Sequence, residues 1–237
     1  LDGDRKGILR KIAEEGEIVS DVVPSFPAYQ LVRPGMFISL LFYYGMLTIK
    51  GTYGPQLILG IPNNNVRMQY YTFLMENYES ACEMNTKELV TMFTRMALDG
   101  KWQDVLQYMC DCYRQLSSVR DSIEGERNIQ GFFMAYLSLC SYYITAPELE
   151  LAHGYCDFFL LPNMTHYQAG HSYILELKYL SKADYSEENA EEQWKAAVEQ
   201  INGYAAAPKV EALRQGTRMH KIIIQFCAWD VIRIEEV

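Results

Sequence analysis

Glu176 and Lys178 stand two residues apart in His-Ser-Tyr-Ile-Leu-Glu-Leu-Lys-Tyr-Leu (171–180), a run that is otherwise largely apolar. As a strand, it sends Ile174, Glu176 and Lys178 to one face and Tyr173, Leu175, Leu177 and Tyr179 to the other. An acid and an amine thus interrupt one face side by side. An isolated Glu-x-Lys is most often an exposed ion pair of little worth. A second acid changes the weight of that reading. Asp157 lies in Gly-Tyr-Cys-Asp-Phe-Phe-Leu-Leu-Pro (154–162), where a carboxylate among apolar neighbours needs a partner or a cation. If the two runs form a hairpin, Asp157 approaches Glu176. Two close carboxylates repel unless positive charge lies between them, and Mg²⁺ (or Mn²⁺) takes hard oxygen ligands of this kind. A metal with an amine beside it outlines a phosphodiester hydrolysis site. The cation activates water and neutralises the scissile phosphate, while Lys178 positions that water or stabilises the developing charge.

The elements that must position these groups follow from periodicity. Glu126 to Tyr143 reads as one long helix closed by Pro147, followed by strands at 148–152, 155–161 and 172–180. A helix over 186–204 then buries Ala190, Trp194, Ala197, Ile201 and Tyr204, with acids crowding its first turns, where the helix dipole favours them. Strands at 219–229 and 231–235 end the chain. Helix, three strands, helix and two strands make an α/β (α+β) sandwich, the last strands joining the sheet's other side. Upstream, 4–15 reads as a short helix, and Pro24, Pro27 and Pro34 break the chain into an irregular wrap. Met36 to Tyr44 is helical, and Met46–Lys50 with Gln56–Ile61 form a hairpin like the wing of a winged helix. Further helices are expected at about 63–80 and on either side of Asp99-Gly100. The expected division is 1–62 (winged-helix-like or linker), 63–120 (helical) and 121–237 (site-bearing).

Several of these residues occur in an order that resembles a known family. Glu126 on a helix, Gly154-Tyr155-Cys156-Asp157, Glu176-Leu177-Lys178 and Gln200-Ile201-Asn202-Gly203-Tyr204 on the next helix resemble the ordered motifs of PD-(D/E)XK nucleases. The last of these resembles the Gln-x-x-x-Tyr element of RecB-like members. The resemblance implies a mixed sheet flanked by helices, with Asp157, Glu176 and Lys178 as catalytic core. It implies Glu126, Asp157 and Glu176 as metal ligands, and Gln200 and Tyr204 facing the catalytic strand to orient the lysine or a nucleotide. Segments 39–49 and 61–63 look like the middle of a large bacterial family common in gut Bacteroides, in which an AAA-ATPase-like domain precedes the nuclease. An ATPase-like domain upstream in the same polypeptide is therefore expected, as the start at Leu1 in mid-pattern also suggests. Two positions depart from the pattern: Cys156 stands where Arg is frequent, and Gln130 where His is common on the first helix. No Gly-x-x-x-x-Gly-Lys-Ser/Thr loop occurs, so ATP hydrolysis is not expected of this chain itself.

Composition bounds the alternatives. The chain has 237 residues, 49% hydrophobic, enough for a sizeable core. A net charge of −9 argues against a surface that grips polyanions all over, so nucleic acid, DNA ahead of RNA, must meet a local patch. Six cysteines without a CxxC pair suggest neither zinc nor a disulfide framework, and point to a reduced, cytoplasmic protein. The apolar runs fall short of the roughly 20 residues a membrane span needs, so no membrane partner is expected. His153, His166, His171 and His220 lack zinc-like spacing. Tyr70, Tyr71, Phe93 and Trp102 read as core, and Lys50 and Arg67 are too few for a basic footprint on the wing. A second function class stays open: a catalytically silent module that uses the same fold to bind nucleic acid or a protein. Oligomeric state is not legible.

Overall fold

The computed structural model describes residues 3–24, 34–63, 65–67, 69, 70, 73, 85–118, 125–151 and 154–237. They belong to two compact units, residues 1–77 and 78–237. No described helix is long and apolar enough to cross a membrane.

In the first unit, helix α1 (Gly3–Glu15) leads into strand β1 (Glu17–Ser20) through Gly16, whose φ of 76° is a left-handed helix end that a side chain resists. Helix α2 (Phe37–Tyr43) is followed by the expected hairpin, β2 (Thr48–Tyr53) and β3 (Gln56–Gly60). The sheet order is β1-β3-β2, antiparallel throughout. Sequence reading left β1 inside the irregular wrap, because four residues are too few for alternation to show. Residues 25–33 of that wrap lie outside the described residues. Of the helix expected at 63–80, residues 65–67, 69, 70 and 73 are helical, residue 63 is a bend before them, and the rest lie outside the description.

The second unit is a three-layer α/β/α arrangement around one five-stranded sheet of order β4-β5-β6-β7-β8. Its strands are β4 (Tyr143–Leu151), β5 (Gly154–Pro162), β6 (His171–Leu180), β7 (Arg218–Cys227) and β8 (Asp230–Glu236). Only the β6–β7 pair is parallel, as the crossover through helix α6 (Glu187–Ala205) requires. The sheet is therefore mixed and flanked by helices, as expected. A short helix α7 (Pro208–Leu213), absent from the sequence reading, follows α6.

One layer holds α3 (Thr86–Asp99), α4 (Trp102–Gln115) and α5 (Glu126–Leu137). Asn85 caps α3 by accepting from the Lys87 and Glu88 amides, and Gly100 ends it at φ 72°. Edge-on ring contacts join Tyr113 of α4 to Phe132 of α5 and Phe226 of β7, each such pair contributing about 0.5–1.5 kcal/mol beyond its burial. The Tyr173 hydroxyl donates to Met96 O at 2.7 Å. Residues 86–118 thus pack on the same sheet as the site-bearing segment. Phe93 and Trp102 are core, and so is Tyr70 within the first unit. The opposite layer, α6 and α7, buries Trp194, Ala197, Ile201 and Val210 against Phe159, Ile174 and Ile223.

One expectation needs correction. The helix beginning at Glu126 stops at Leu137 and does not reach Tyr143. Tyr143, Ile144 and Thr145 are strand formers, and they pair with Pro162, Leu161 and Leu160. Pro147 lies inside strand β4 rather than after a helix. Among the described residues β4 has no outer neighbour, and an edge strand is where a residue without an N–H is tolerated.

Candidate active site

The β5–β6 ladder runs over Phe158–Leu160 against Tyr173–Leu175. Cys156 and Phe159, three residues apart, both lie in the core cluster under α6. β5 pairs with β4 in one continuous register across this stretch, and Asp157 lies between these two residues. The Leu177 N–H donates to Asp157 Oδ2 at 2.7 Å. The side chain thereby meets a β6 amide just beyond the ladder. Asp157 Oδ1 accepts from Gln130 Nε2 of α5 at 2.8 Å.

Glu176 and Lys178 are held on β6 by a chain of contacts running into α6. Lys178 Nζ donates to Glu176 Oε1 at 2.8 Å and to Gln200 Oε1 at 3.0 Å. The Gln200 amide donates to the Tyr204 hydroxyl, which donates in turn to the Tyr155 carbonyl at 2.7 Å. Gln200 and Tyr204 are one turn apart on α6 and share a face. That helix starts cleanly, since the Ser186 side chain accepts from the Asn189 N–H and Glu187 and Glu188 fill its first turn. Gly154 makes the last link possible: a Cβ there would lie 2.9 Å from the Tyr204 hydroxyl oxygen.

Electrostatics single out the carboxylate pair. Burial, and then the charge of Glu176, push Asp157 up to about 7, although the Leu177 amide, Lys178 and Gln130 all pull it down. Burial also raises Glu176, against the opposing Lys178 ammonium and the Asp157 amide. Glu176 Oε2 is buried and meets no hydrogen-bond donor among the described residues. Glu126, at the start of α5, is exposed, and its charge raises Glu176 further. The structure thus brings Asp157, Glu176, Lys178, Gln200 and Tyr204 into one connected group, with Glu126 acting across space. Among the described residues no three His, Cys, Asp or Glu side chains converge on one point. Cys156 is fully buried in the core beneath Trp194 and Tyr204, and burial pushes its thiol up to about 12.

Sequence reading noted Gln130 only as a departure from a pattern. Its spacing of four from Glu126 was the available signal that both share one face of α5. The reading missed a second polar cluster altogether. His171 Nδ1 lies 2.8 Å from His220 Nε2, His220 Nδ1 lies 2.7 Å from Glu236 Oε1, and Trp102 Nε1 donates to Glu236 Oε2 at 2.9 Å. The two histidines bond each other directly, which leaves no space for an ion between those nitrogens. His166 is exposed, and His153 lies outside the described residues. The five described cysteines are free thiols.

No curated protein and no solved structure matches the chain. Residues 124–236 match the family model of the PD-(D/E)XK nuclease superfamily, and the mixed sheet flanked by helices over that stretch is consistent with the fold of that superfamily, whose members are typically metal-dependent.

Proposed function

We propose that this unit is a Mg²⁺- or Mn²⁺-dependent nuclease that hydrolyses phosphodiester bonds of nucleic acid, DNA ahead of RNA. One observation carries the reading: among the described residues Glu176 Oε2 is buried without a donor, beside a second carboxylate that its charge helps push up to about 7. An unmatched buried carboxylate oxygen is costly, and a hard divalent cation is what oxygen donors of this kind suit. Asp157 and Glu176 would hold the metal, with Glu126 adding charge at the rim. When bound, the metal supplies Lewis-acid charge that lowers the pKa of water and neutralises the scissile phosphate. Lys178 spends two of its three donors on Glu176 and Gln200, so the remaining N–H can be directed at the attacking water or at the charge that develops on the phosphoryl oxygens. Gln200 and Tyr204 fix that amine by tying it to the β5 backbone. Through the same resemblance, the reading extends to a bacterial cytoplasmic protein with an ATPase-like domain before this chain, residues 1–62 serving as a winged-helix-like spacer and 63–120 as a helical region.

The test is metal titration with cleavage of DNA and RNA substrates by the wild type, Asp157→Ala and Lys178→Ala. Metal-dependent cleavage by the wild type that both variants lose supports the reading. No metal uptake and no cleavage of either polymer would favour the silent binding module instead.

A further inference from the structure

Gln130 contacts one of the two carboxylates, Asp157, yet the roles above leave it unused. It is half-buried on α5, one turn beyond Glu126, and its Nε2 donates to Asp157 Oδ1 at 2.8 Å. The other Asp157 oxygen accepts the Leu177 N–H at 2.7 Å. The two donors come from different elements, helix α5 and strand β6, and grip the two oxygens of one carboxylate. With both oxygens engaged, rotation of the group is blocked and its remaining lone pairs keep one direction. The bond also ties down the helix. Gly125, the residue before α5, makes no side-chain cap, so the first turn lacks that anchor, and the Gln130–Asp157 bond joins the helix to β5. Glu126, on the same face, is thereby kept where its charge bears on Glu176.

Resting on the metal-dependent reading above, we infer that Gln130 is a positioning residue for the cation: it acts through Asp157 and sets metal affinity rather than turnover. A hydrogen bond that orients a ligating carboxylate typically changes metal affinity by about 10–100-fold when removed. Lys178 is held by hydrogen bonds to Glu176 and Gln200, whereas Gln130 bonds Asp157, so the work proposed for Lys178 should survive the loss.

Calorimetric titration of Mn²⁺ into the wild-type chain and into Gln130→Met, which keeps bulk but removes the donor, tests this. Affinity falls about tenfold or more, and the Mn²⁺ concentration for half-maximal cleavage rises by the same factor. The kcat at saturating Mn²⁺ stays close to wild type. Gln130→Asn, which keeps the amide but is one methylene too short, gives the same pattern. Unchanged Mn²⁺ affinity in both variants overturns the inference and leaves the nuclease reading standing. So does lost kcat at saturating Mn²⁺ with unchanged affinity, since Gln130 would then act on the reacting groups. Loss of folding in both variants also overturns it, by making Gln130 a structural residue. A wild-type chain that takes up no Mn²⁺ overturns both readings.

Discussion

Strand β6 carries a polar cluster towards each end, and the two differ in one respect. At its start, His171, His220, Glu236 and Trp102 form a closed chain in which each group meets its neighbour at 2.7–2.9 Å. The ring of Tyr173 stacks on His220 at 4.8 Å. Towards its end, Asp157, Glu176 and Lys178 are also bonded, but among the described residues Glu176 Oε2 is left without a donor. Two like charges there raise each other's cost. A closed buried network fixes structure, whereas an open one is held in place by the rest of the fold and is where function concentrates. Polarity and burial alone would have ranked the two clusters equally.

Substitutions at the two ends should separate accordingly. The largest effect is on turnover: Lys178→Ala lowers cleavage about 10²-fold or more, measured on gels at saturating Mn²⁺. The protein stays folded, because Glu176 can take up a proton once its amine is gone. Equal cleavage by variant and wild type would dissolve the contrast.

His220→Ala opens the closed chain, stranding Glu236 and leaving a cavity under Tyr173. We expect a loss of about 3 kcal/mol in urea unfolding, with cleavage per folded molecule unchanged. A variant that kept its stability but lost cleavage would move the histidines into the active site.

Asp157→Asn runs the other way. The folded carboxyl is raised from 3.8 to about 7. Its contribution is therefore fully present below pH 3.8 and is lost as pH rises through 7, so the metal-free protein is penalised in alkali. Asparagine removes that charge, and Gln130 can turn its carbonyl towards the new amide. The variant should be more stable by about 1–2 kcal/mol at pH 8 without divalent ions, a part of the linkage term, and should lack the Mn²⁺-induced rise in melting temperature expected of wild type.

The smallest effect is a pH dependence at the other end. Burial, then His220 and Arg218, lower His171 below 6.5, against Asp99 and Glu236, which raise it. A lowered histidine means that the unfolded chain binds more protons in that window. Stability is then complete above pH 6.5 and declines as pH falls below it. The difference in melting temperature between wild type and His171→Gln should be constant above pH 6.5 and shrink as pH falls below it.

The same contrast explains what could be read from residues alone. Periodicity found α6 because Trp194, Ala197, Ile201 and Tyr204 repeat at helical spacing, and it found β6 because Glu176 and Lys178 interrupt an apolar strand. The members of the site lie in short segments with distinctive residues. Gln130 carries no such mark, because its contact depends on the packing of α5 beside β5. The His171–His220–Glu236–Trp102 chain joins four segments far apart in sequence, so no local pattern announces it. The end of α5 was misread because Leu137 to Tyr143 is apolar enough to continue either as helix or as strand.

Pro147 has a consequence for how this protein behaves at high concentration. It sits in β4, an outermost strand of the sheet. A free strand edge is a template on which other chains can pair and aggregate. The pyrrolidine ring offers no N–H to an incoming strand, and its bulk stands where that strand would need to lie flat. A proline in this edge should weaken it as a template for strand-swapped dimers or fibrils, and a Pro147→Val chain should associate more readily at high concentration.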